Sequence, residues 1–351
     1  MAKKKQIVDT SDLADDDFIG MDYDTFKASI FKSYGERAIM TADTLRDPDP
    51  NFSGSLSLDL DLRIPFPAGR IIEVLGEEHS GKTTLSLEVL GQAQQAGKRV
   101  AYNNAERNLN RSLVDGIRTI IPEKLRILEG ANGEENLQLV HKYVASFPNS
   151  VVVVDSVDAI VPEAVLEGAI GDSAVGNLAK LMSDACRKLK DICALNNSTV
   201  IFINQIREKI TTYGDPRTES GGRALKFYSS QRVRLEAVGK ADQIKSDKGD
   251  RVIGHNARYY IIKNKVAPPF IKGSFPLMYG KGVHREAEVA KLLKSLGLIQ
   301  TGGPGGHSLR IDDGEKERVL SLKKAADLFE SSPSLYQKYY DIIMNSFLDE
   351  E

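Results

Sequence analysis

The sequence predicts an α/β protein whose core is a mainly parallel sheet lying between helices. Three observations predict it. After Ser53, short apolar strands alternate with helix-length segments. Several strands end abruptly in a polar residue, as the four valines after Ser150 end in Asp155. A glycine-bounded turn, Gly76 to Thr83, stands between one such strand and a helix. Continuous apolar runs suit strands buried on both faces, the condition of a parallel sheet covered by helices.

The elements follow in order. Residues 1–22 form a polar, acidic lead, expected to be flexible. Phe26, Ile30, Phe31 and Tyr34 share one helical face, which places a helix from Tyr23 to about Tyr34, ended by Gly35. Asp47-Pro48-Asp49-Pro50 reads as a linker. Strands are expected at 70–75, 97–102, 151–155 and 200–204, with a helix over 82–95. From Arg232 to Lys263 the strands look like hairpins around a polar stretch. After Arg285 the texture changes to a short helix, a glycine-rich loop at 301–306, and helix again over 319–348. The expected division is an amino-terminal lead and helix (1–52), a core (53–285) and a small carboxy-terminal α/β domain (286–351).

Composition sets bounds on function. With 351 residues, 41% hydrophobic and 27% charged, the chain has a globular balance. No apolar run approaches the roughly 20 residues of a membrane helix. Met1-Ala-Lys-Lys-Lys leads into polar residues rather than a signal-peptide core, so a cytoplasmic location is expected. Cys186 and Cys193, two turns apart on one helical face, read as small core residues and not as a disulfide. The net charge of -2 gives no global case for nucleic acid, so any such case must rest on local patches.

Gly76-Glu77-Glu78-His79-Ser80-Gly81-Lys82-Thr83 fits the P-loop pattern, and Thr84 continues it into the helix. Its glycines let the backbone curl so that successive N–H groups face phosphates. Lys82 supplies a cation for the β- and γ-phosphates, and Thr83 a hydroxyl for Mg²⁺. Asp155 is the natural acid to hold Mg²⁺ through water. Taken alone, a strand-terminal aspartate is more often a cap or turn residue; beside a P-loop the metal role is the better reading. Glu106 lies past another strand's carboxyl end and could orient and deprotonate an attacking water. Its spacing alone does not separate that role from a solvated glutamate.

Gly54–Asp59, the P-loop, Ala105-Glu106, Val151–Ser156, Ile203-Asn-Gln-Ile-Arg207, Gly221–Tyr228 and Lys263-Asn-Lys265 together resemble the bacterial RecA recombinases, in order, from about Tyr34 to Gly282. The resemblance implies a RecA-type P-loop ATPase core and an amino-terminal helical segment that joins subunits together with Phe227. It makes Glu106 the water-activating glutamate and Gln205 the sensor of the γ-phosphate. It makes Lys263 and Lys265 a pair reaching the ATP of a neighbouring subunit, as an arginine finger does elsewhere.

Two segments resemble the family's DNA loops. One spans 163–176 and precedes a helix carrying Lys180 and Arg187. The other spans 207–222. From Arg207 to Arg234 there are seven basic and three acidic residues, a track suited to a single-stranded backbone. Arg207, Gly221, Gly222 and Arg223 are its candidate phosphate contacts, and Val175, Ile210 and Tyr213 its candidate wedges against bases. A basic stretch is more often just a solvated face.

The chain also departs from the pattern. Asn104 stands where the family has an acid, and Leu113 where it has a tyrosine that stacks on adenine. Stacking is then expected to be weaker or to come from elsewhere, with Tyr279 as the candidate across a subunit interface and Gly280 beside it as a further nucleotide contact. These differences fit a divergent recombinase of bacterial or phage origin. The expected function is an ATP- and Mg²⁺-dependent recombinase that forms filaments on single-stranded DNA and pairs it with homologous duplex. Its expected partners are itself, single-strand-binding proteins and mediators. A hexameric helicase-like or RadA-like motor is the alternative; the lysine pair, and the lack of a cysteine zinc motif, argue against it.

Overall fold

The computed structural model describes residues 20–169, 176–208, 217–246, 249–297, 308–312 and 317–348. The chain forms two compact units, divided between Asp47 and Pro48. In the first, helix α1 (Tyr23–Tyr34) begins where the Asp22 side chain accepts from the N–H groups of Asp24 and Thr25, and ends at Gly35, whose φ is 86°. None of its residues is buried, and Tyr23, Tyr34 and Met40 are exposed.

The second unit opens with α2 (Leu56–Leu62). Its leucines alternate with polar residues, a strand's period, yet the segment is helical. Ser55 caps it by accepting from Leu58 N–H, and the buried Glu288 carboxylate accepts from the N–H groups of Leu56 and Ser57. A long-range partner thus outweighs the local pattern. There follow β1 (Ile71–Gly76), α3 (Lys82–Gln95), β2 (Arg99–Asn104), α4 (Arg111–Gly116), β3 (Leu125–Leu128), α5 (Gly133–Ser146), β4 (Ser150–Asp155), α6 (Glu163–Leu166), α7 (Asn177–Asn196), β5 (Thr199–Glu208), β6 (Arg217–Glu219), α8 (Ala224–Tyr228), β7 (Gln231–Leu235), β8 (Gln243–Lys245), β9 (Val252–Asn264), β10 (Lys272–Met278) and β11 (Gly282–Val283). Helix α9 (Arg285–Ser295), the hairpin β12 (Ser308–Asp312) and β13 (Glu317–Ser321), and helices α10 (Leu322–Ser331) and α11 (Pro333–Leu348) complete it. The helix expected from 319 starts only at Leu322, because 319–321 belong to β13, paired antiparallel with β12.

The main sheet runs β11-β10-β9-β7-β1-β5-β4-β2-β3. From β7 to β3 the neighbours are parallel; β9, β10 and β11 extend the sheet antiparallel. Successive residues of a strand face opposite sides, so an apolar strand feeds two cores. Val151 and Val153 pack in the cluster around α3, while Val152 and Val154 pack in the cluster around α5 and α7. Cys186 and Cys193 are buried on the inner face of α7, with Met182 and Leu189, and burial pushes both thiols up to about 12. A third cluster gathers Leu56 with α9, α10 and α11.

A buried ion pair interrupts the apolar sheet. Glu73 of β1 is fully buried and raised in pKa by that burial, although the Arg232 guanidinium on β7 hydrogen-bonds to it. Asn204 donates to its other oxygen at 2.8 Å, and Arg232 reaches on to Glu219 at 2.6 Å. Among the described residues no helix is long and apolar enough to cross a membrane.

Candidate nucleotide site

The register of the parallel strands builds the site. Gly76 pairs with Gln205 across β1 and β5, and Asn104 with Asp155 across β2 and β4. The carboxyl ends of β1, β2 and β4 therefore meet Gln205 at the sheet's carboxyl edge, where ligands of such sheets bind; β5, expected to end at 204, runs on to Glu208, so Gln205 lies within it. They border a cleft of about 550 Å³ lined by Glu78, His79, Gly81, Lys82, Thr83, Thr84, Glu106, Asn108, Asp155, Ile203, Gln205, His255, Leu277 and Tyr279.

The turn from β1 to α3 is tight. Gly81 adopts φ 98° in the left-handed region, and a Cβ there would come within 2.8 Å of Leu277 Cδ1. Ser80 Oγ donates to the Glu77 carbonyl at 2.8 Å, and Lys82 Nζ to the same oxygen at 2.6 Å. Burial lowers the pKa of Lys82, against the opposing pull of Asp155, Glu106 and Glu78. The buried ammonium at the start of helix α3 favours an anion rich in oxygen, against the repulsion of the acids near it.

Asp155 lies deeper. Thr83 Oγ1 donates to its Oδ2 at 2.9 Å, and the Tyr102 hydroxyl donates to the same oxygen. Burial raises its pKa despite those bonds and Lys82. The donor set, one hydroxyl and one carboxylate within a hydrogen bond of each other, fits a hard cation that keeps its remaining bonds to water and phosphate. Among the described residues no cluster of three or more His, Cys, Asp or Glu could hold a metal ion.

Glu106 is held on three sides. Ser156 Oγ and Gln205 Nε2 donate to its Oε1, the latter at 3.3 Å, and Asn108 Nδ2 donates to its Oε2 at 2.6 Å. Gln205 is anchored through its N–H to Asp158 Oδ2 at 3.1 Å, and Ser220 Oγ donates to the other oxygen of Asp158. The carboxylate and the Gln205 side-chain amide are thus joined directly, while the Gln205 backbone N–H is joined through Asp158 to Ser220, at the stem of the 207–222 segment.

The other expected residues lie elsewhere. Lys263 and Lys265, at the end of β9 and just beyond it, do not line this chain's cleft. Lys263 Nζ donates to the carbonyls of Lys226 and Phe227 at 2.6 and 3.2 Å, capping α8. Burial, then the Lys265 charge, brings Lys263 down to about 8. Phe227 is 67% exposed, which excludes core packing. Tyr279 and Gly280 form the β10–β11 turn, and Tyr279 lines the cleft of the chain that carries it.

Among the DNA candidates, Val175, Ile210 and Tyr213 lie outside the described residues. Gly221 and Gly222 have φ of 77° and 71°; a Cβ on the first would come within 2.9 Å of Val157, and on the second within 2.9 Å of Ala179. Packing of the stem against α7 therefore accounts for both glycines without a phosphate. It also sets the exposed Arg223 beside the turn of α7 that bears the exposed Lys180. Arg187, two turns further on, pairs with Asp184 at 2.6 Å on the surface. Arg207 lies on β5 opposite Thr218 of β6.

Sequence reasoning missed Tyr102, Asn108, Ser156, Ile203, His255 and Leu277. Ser156 follows a strand-ending acid and carried a usable signal. His255 and Leu277 lie inside antiparallel strands and carried none.

Comparison with known proteins bears on the whole chain. The family model described as the RecA N-terminal domain matches residues 24–284. The RecA protein of Bacillus velezensis is 40% identical over 91% of this chain and 92% of its own length. That of Porphyromonas gingivalis is 40% identical over 78% of this chain and 80% of its own. The RadB recombinase, known from a crystal structure, is 22% identical over 66% of this chain and 98% of that one, with a TM-score of 0.49. A P-loop facing a strand-end acid and a tethered glutamate–glutamine pair is thus set in a chain matched by RecA proteins over most of its length, and the chain belongs to the RecA family of ATP-dependent recombinases.

Proposed function

We propose that this chain binds and hydrolyses ATP in the cleft around Lys82, and that it does so within a filament of its own copies on single-stranded DNA. The observation that carries the reading is the meeting of Lys82, Thr83, Asp155, Glu106 and Gln205 in one cleft at one edge of the sheet. The backbone from Gly76 to Thr84 receives the phosphates, and Lys82 faces the β- and γ-groups. Thr83, and Asp155 through water, would hold Mg²⁺, which when bound neutralises charge between the phosphates.

Glu106 orients the attacking water and takes its proton, giving ADP and phosphate. Gln205 reads the γ-phosphate. Its bond to Glu106 and its link through Asp158 to Ser220 support a coupling between hydrolysis and the 207–222 segment. Lys263 and Lys265 act on the nucleotide of a neighbouring copy. Their absence from their own cleft supports that role, as the exposed Phe227 and the unburied face of α1 support self-association.

The DNA track takes in Lys180, Arg187, Arg207, Gly221, Gly222 and Arg223, with Val175, Ile210 and Tyr213 against the bases. Single-stranded DNA binds first and homologous duplex second, with single-strand-binding and mediator proteins as further partners in the cytoplasm. Residues 53–285 act as the ATPase core and 286–351 as a small attached domain.

Electron microscopy with single-stranded DNA and an ATP analogue tests the assembly: helical filaments are expected, and closed rings would favour a motor. Lys82→Ala is expected to abolish nucleotide binding in an equilibrium titration and filament formation with it. Full-rate hydrolysis by isolated protomers without polynucleotide would overturn the roles of Lys263 and Lys265.

A further inference from the structure

Tyr102 of β2 is fully buried, and its ring packs in the core around α3 with Val100, Val151 and Val153. Its hydroxyl does something that a core ring does not need. It crosses to β4 and donates to Asp155 Oδ2, the oxygen that also accepts from Thr83 Oγ1 at 2.9 Å. A phenol is protonated at neutral pH, so it meets the carboxylate as a donor.

The register of the strands makes this contact possible. Tyr102 pairs with Val153, and Asn104 pairs with Asp155. The acid therefore stands two residues, roughly 6–7 Å, further along the sheet than the tyrosine. A tyrosine leaning along its strand spans that distance, and a serine or threonine hydroxyl does not. Asn104, level with the acid, is engaged elsewhere: its Nδ2 donates to Glu129 Oε1 at 2.6 Å, and its Oδ1 accepts from the Leu109 N–H at 3.2 Å. Two hydroxyls, one from α3 and one from β2, thus fall on one oxygen of Asp155. Among the described residues no donor falls on the other, Oδ1.

We propose that Tyr102 is a positioning residue for the metal: with Thr83 it holds Oδ2 and so commits Oδ1 to the water through which Mg²⁺ would be held. This role rests on the reading that Mg²⁺ enters with ATP at Thr83 and Asp155. The terminal torsion of an aspartate is broad and roughly two-fold, so the side chain by itself favours neither oxygen. Groups bonded to a metal-holding carboxylate set its orientation, and their loss weakens the metal. Packing alone is the competing role, in which a buried hydroxyl merely finds an acceptor.

The test compares ATP affinity of the full chain with Mg²⁺ in excess and with EDTA, by equilibrium titration. Tyr102→Phe keeps the ring and removes the hydroxyl. It is expected to lower the ratio of the two affinities about tenfold while the affinity in EDTA stays as in the wild type. An unchanged ratio overturns the proposal. So does an equal loss in both conditions, which would mean that the hydroxyl supports the phosphate loop by packing.

Thr83→Ala separates the two readings, because it must lower the same ratio. If it does not, Mg²⁺ is not held at Thr83 and Asp155; if it does and Tyr102→Phe does not, the role of Tyr102 alone fails. Should Tyr102→Phe not fold, the chain labelled with ¹³C at tyrosine Cζ decides. Tyr279→Phe first removes the tyrosine that lines the cleft. The signal that Mn²⁺ then broadens most is expected to shift when Mg²⁺ is added to the ATP-bound chain, and a signal that stays in place overturns the proposal.

Discussion

The two halves of the main sheet contribute to one cleft in different ways. The parallel half presents its carboxyl edge: Gly76, Asn104 and Asp155 end their strands there, and Gln205 of β5 pairs with Gly76. The antiparallel half presents a mid-strand residue, His255, and a hairpin tip, Tyr279. A parallel strand's carboxyl end is also where its crossover begins, so a functional residue there sits beside a turn that the sequence announces. A side chain within a hairpin has no such marker, and which face it takes depends on pairing. The residues proposed to act on phosphate lie on the legible half, and His255 and Tyr279 line the cleft from the other.

The largest expected effect tests the parallel half. Glu106→Gln should lower turnover by about 10²–10⁴-fold while ATP binding and filament assembly persist, measured by single-turnover hydrolysis on DNA. Normal hydrolysis would remove Glu106 from the chemistry and leave Asp155 and Glu78 as the acids of that half lining the cleft. The last parallel strand comes next. Arg232 of β7, at the border of the antiparallel extension, pairs with fully buried Glu73 of β1. Arg232→Ala strands that carboxylate, and urea denaturation should show a loss of about 3–5 kcal/mol. A loss below about 1 kcal/mol, the range of a surface pair, would mean that the ladder and apolar packing alone hold β7 on β1.

A third test concerns the antiparallel half alone. Lys263→Ala should slow DNA-dependent hydrolysis by about 10²–10³-fold and leave nucleotide binding by the isolated chain intact. Loss of that binding would show that the lysine acts within its own chain. The smallest effect lies outside the cleft. Asp59 of α2 is buried, and burial raises its pKa from 3.8 to about 8. The folded state holds that proton more tightly than the unfolded one. Its contribution is therefore full below the ordinary value and fades as the pH rises through about 8. Melting curves between pH 4 and 9 should show the wild type losing stability relative to Asp59→Asn as pH rises. Parallel curves would show that the carboxylate is ionised throughout.

Much of the fold was legible because local rules agreed with the final structure. The valines of β4 have both faces to fill, and they read as a buried strand. Helix α3 runs over the residues that the P-loop pattern implies, Lys82 to Gln95. Helix α1 begins and ends where its aspartate and glycine place it. The failures have physical causes. Helix α2 carries a strand's alternation and is held helical by Glu288, more than two hundred residues away. Strand β13 needs β12 to exist at all, since a two-stranded ribbon is defined by its partner.

By itself the sequence determined the phosphate loop, the acid at the end of β4, the glutamate after β2 and the glutamine of β5. Each is tied to a local strand end, and local chemistry is what a linear chain records. Tertiary structure alone decided that Ser156 holds Glu106, that Glu73 and Arg232 bond across β1 and β7, and that His255 lines the cleft without a hydrogen-bond partner among the described residues. Those facts depend on strand order and register between segments up to about 180 residues apart, set by sheet-wide burial rather than by neighbours in the chain.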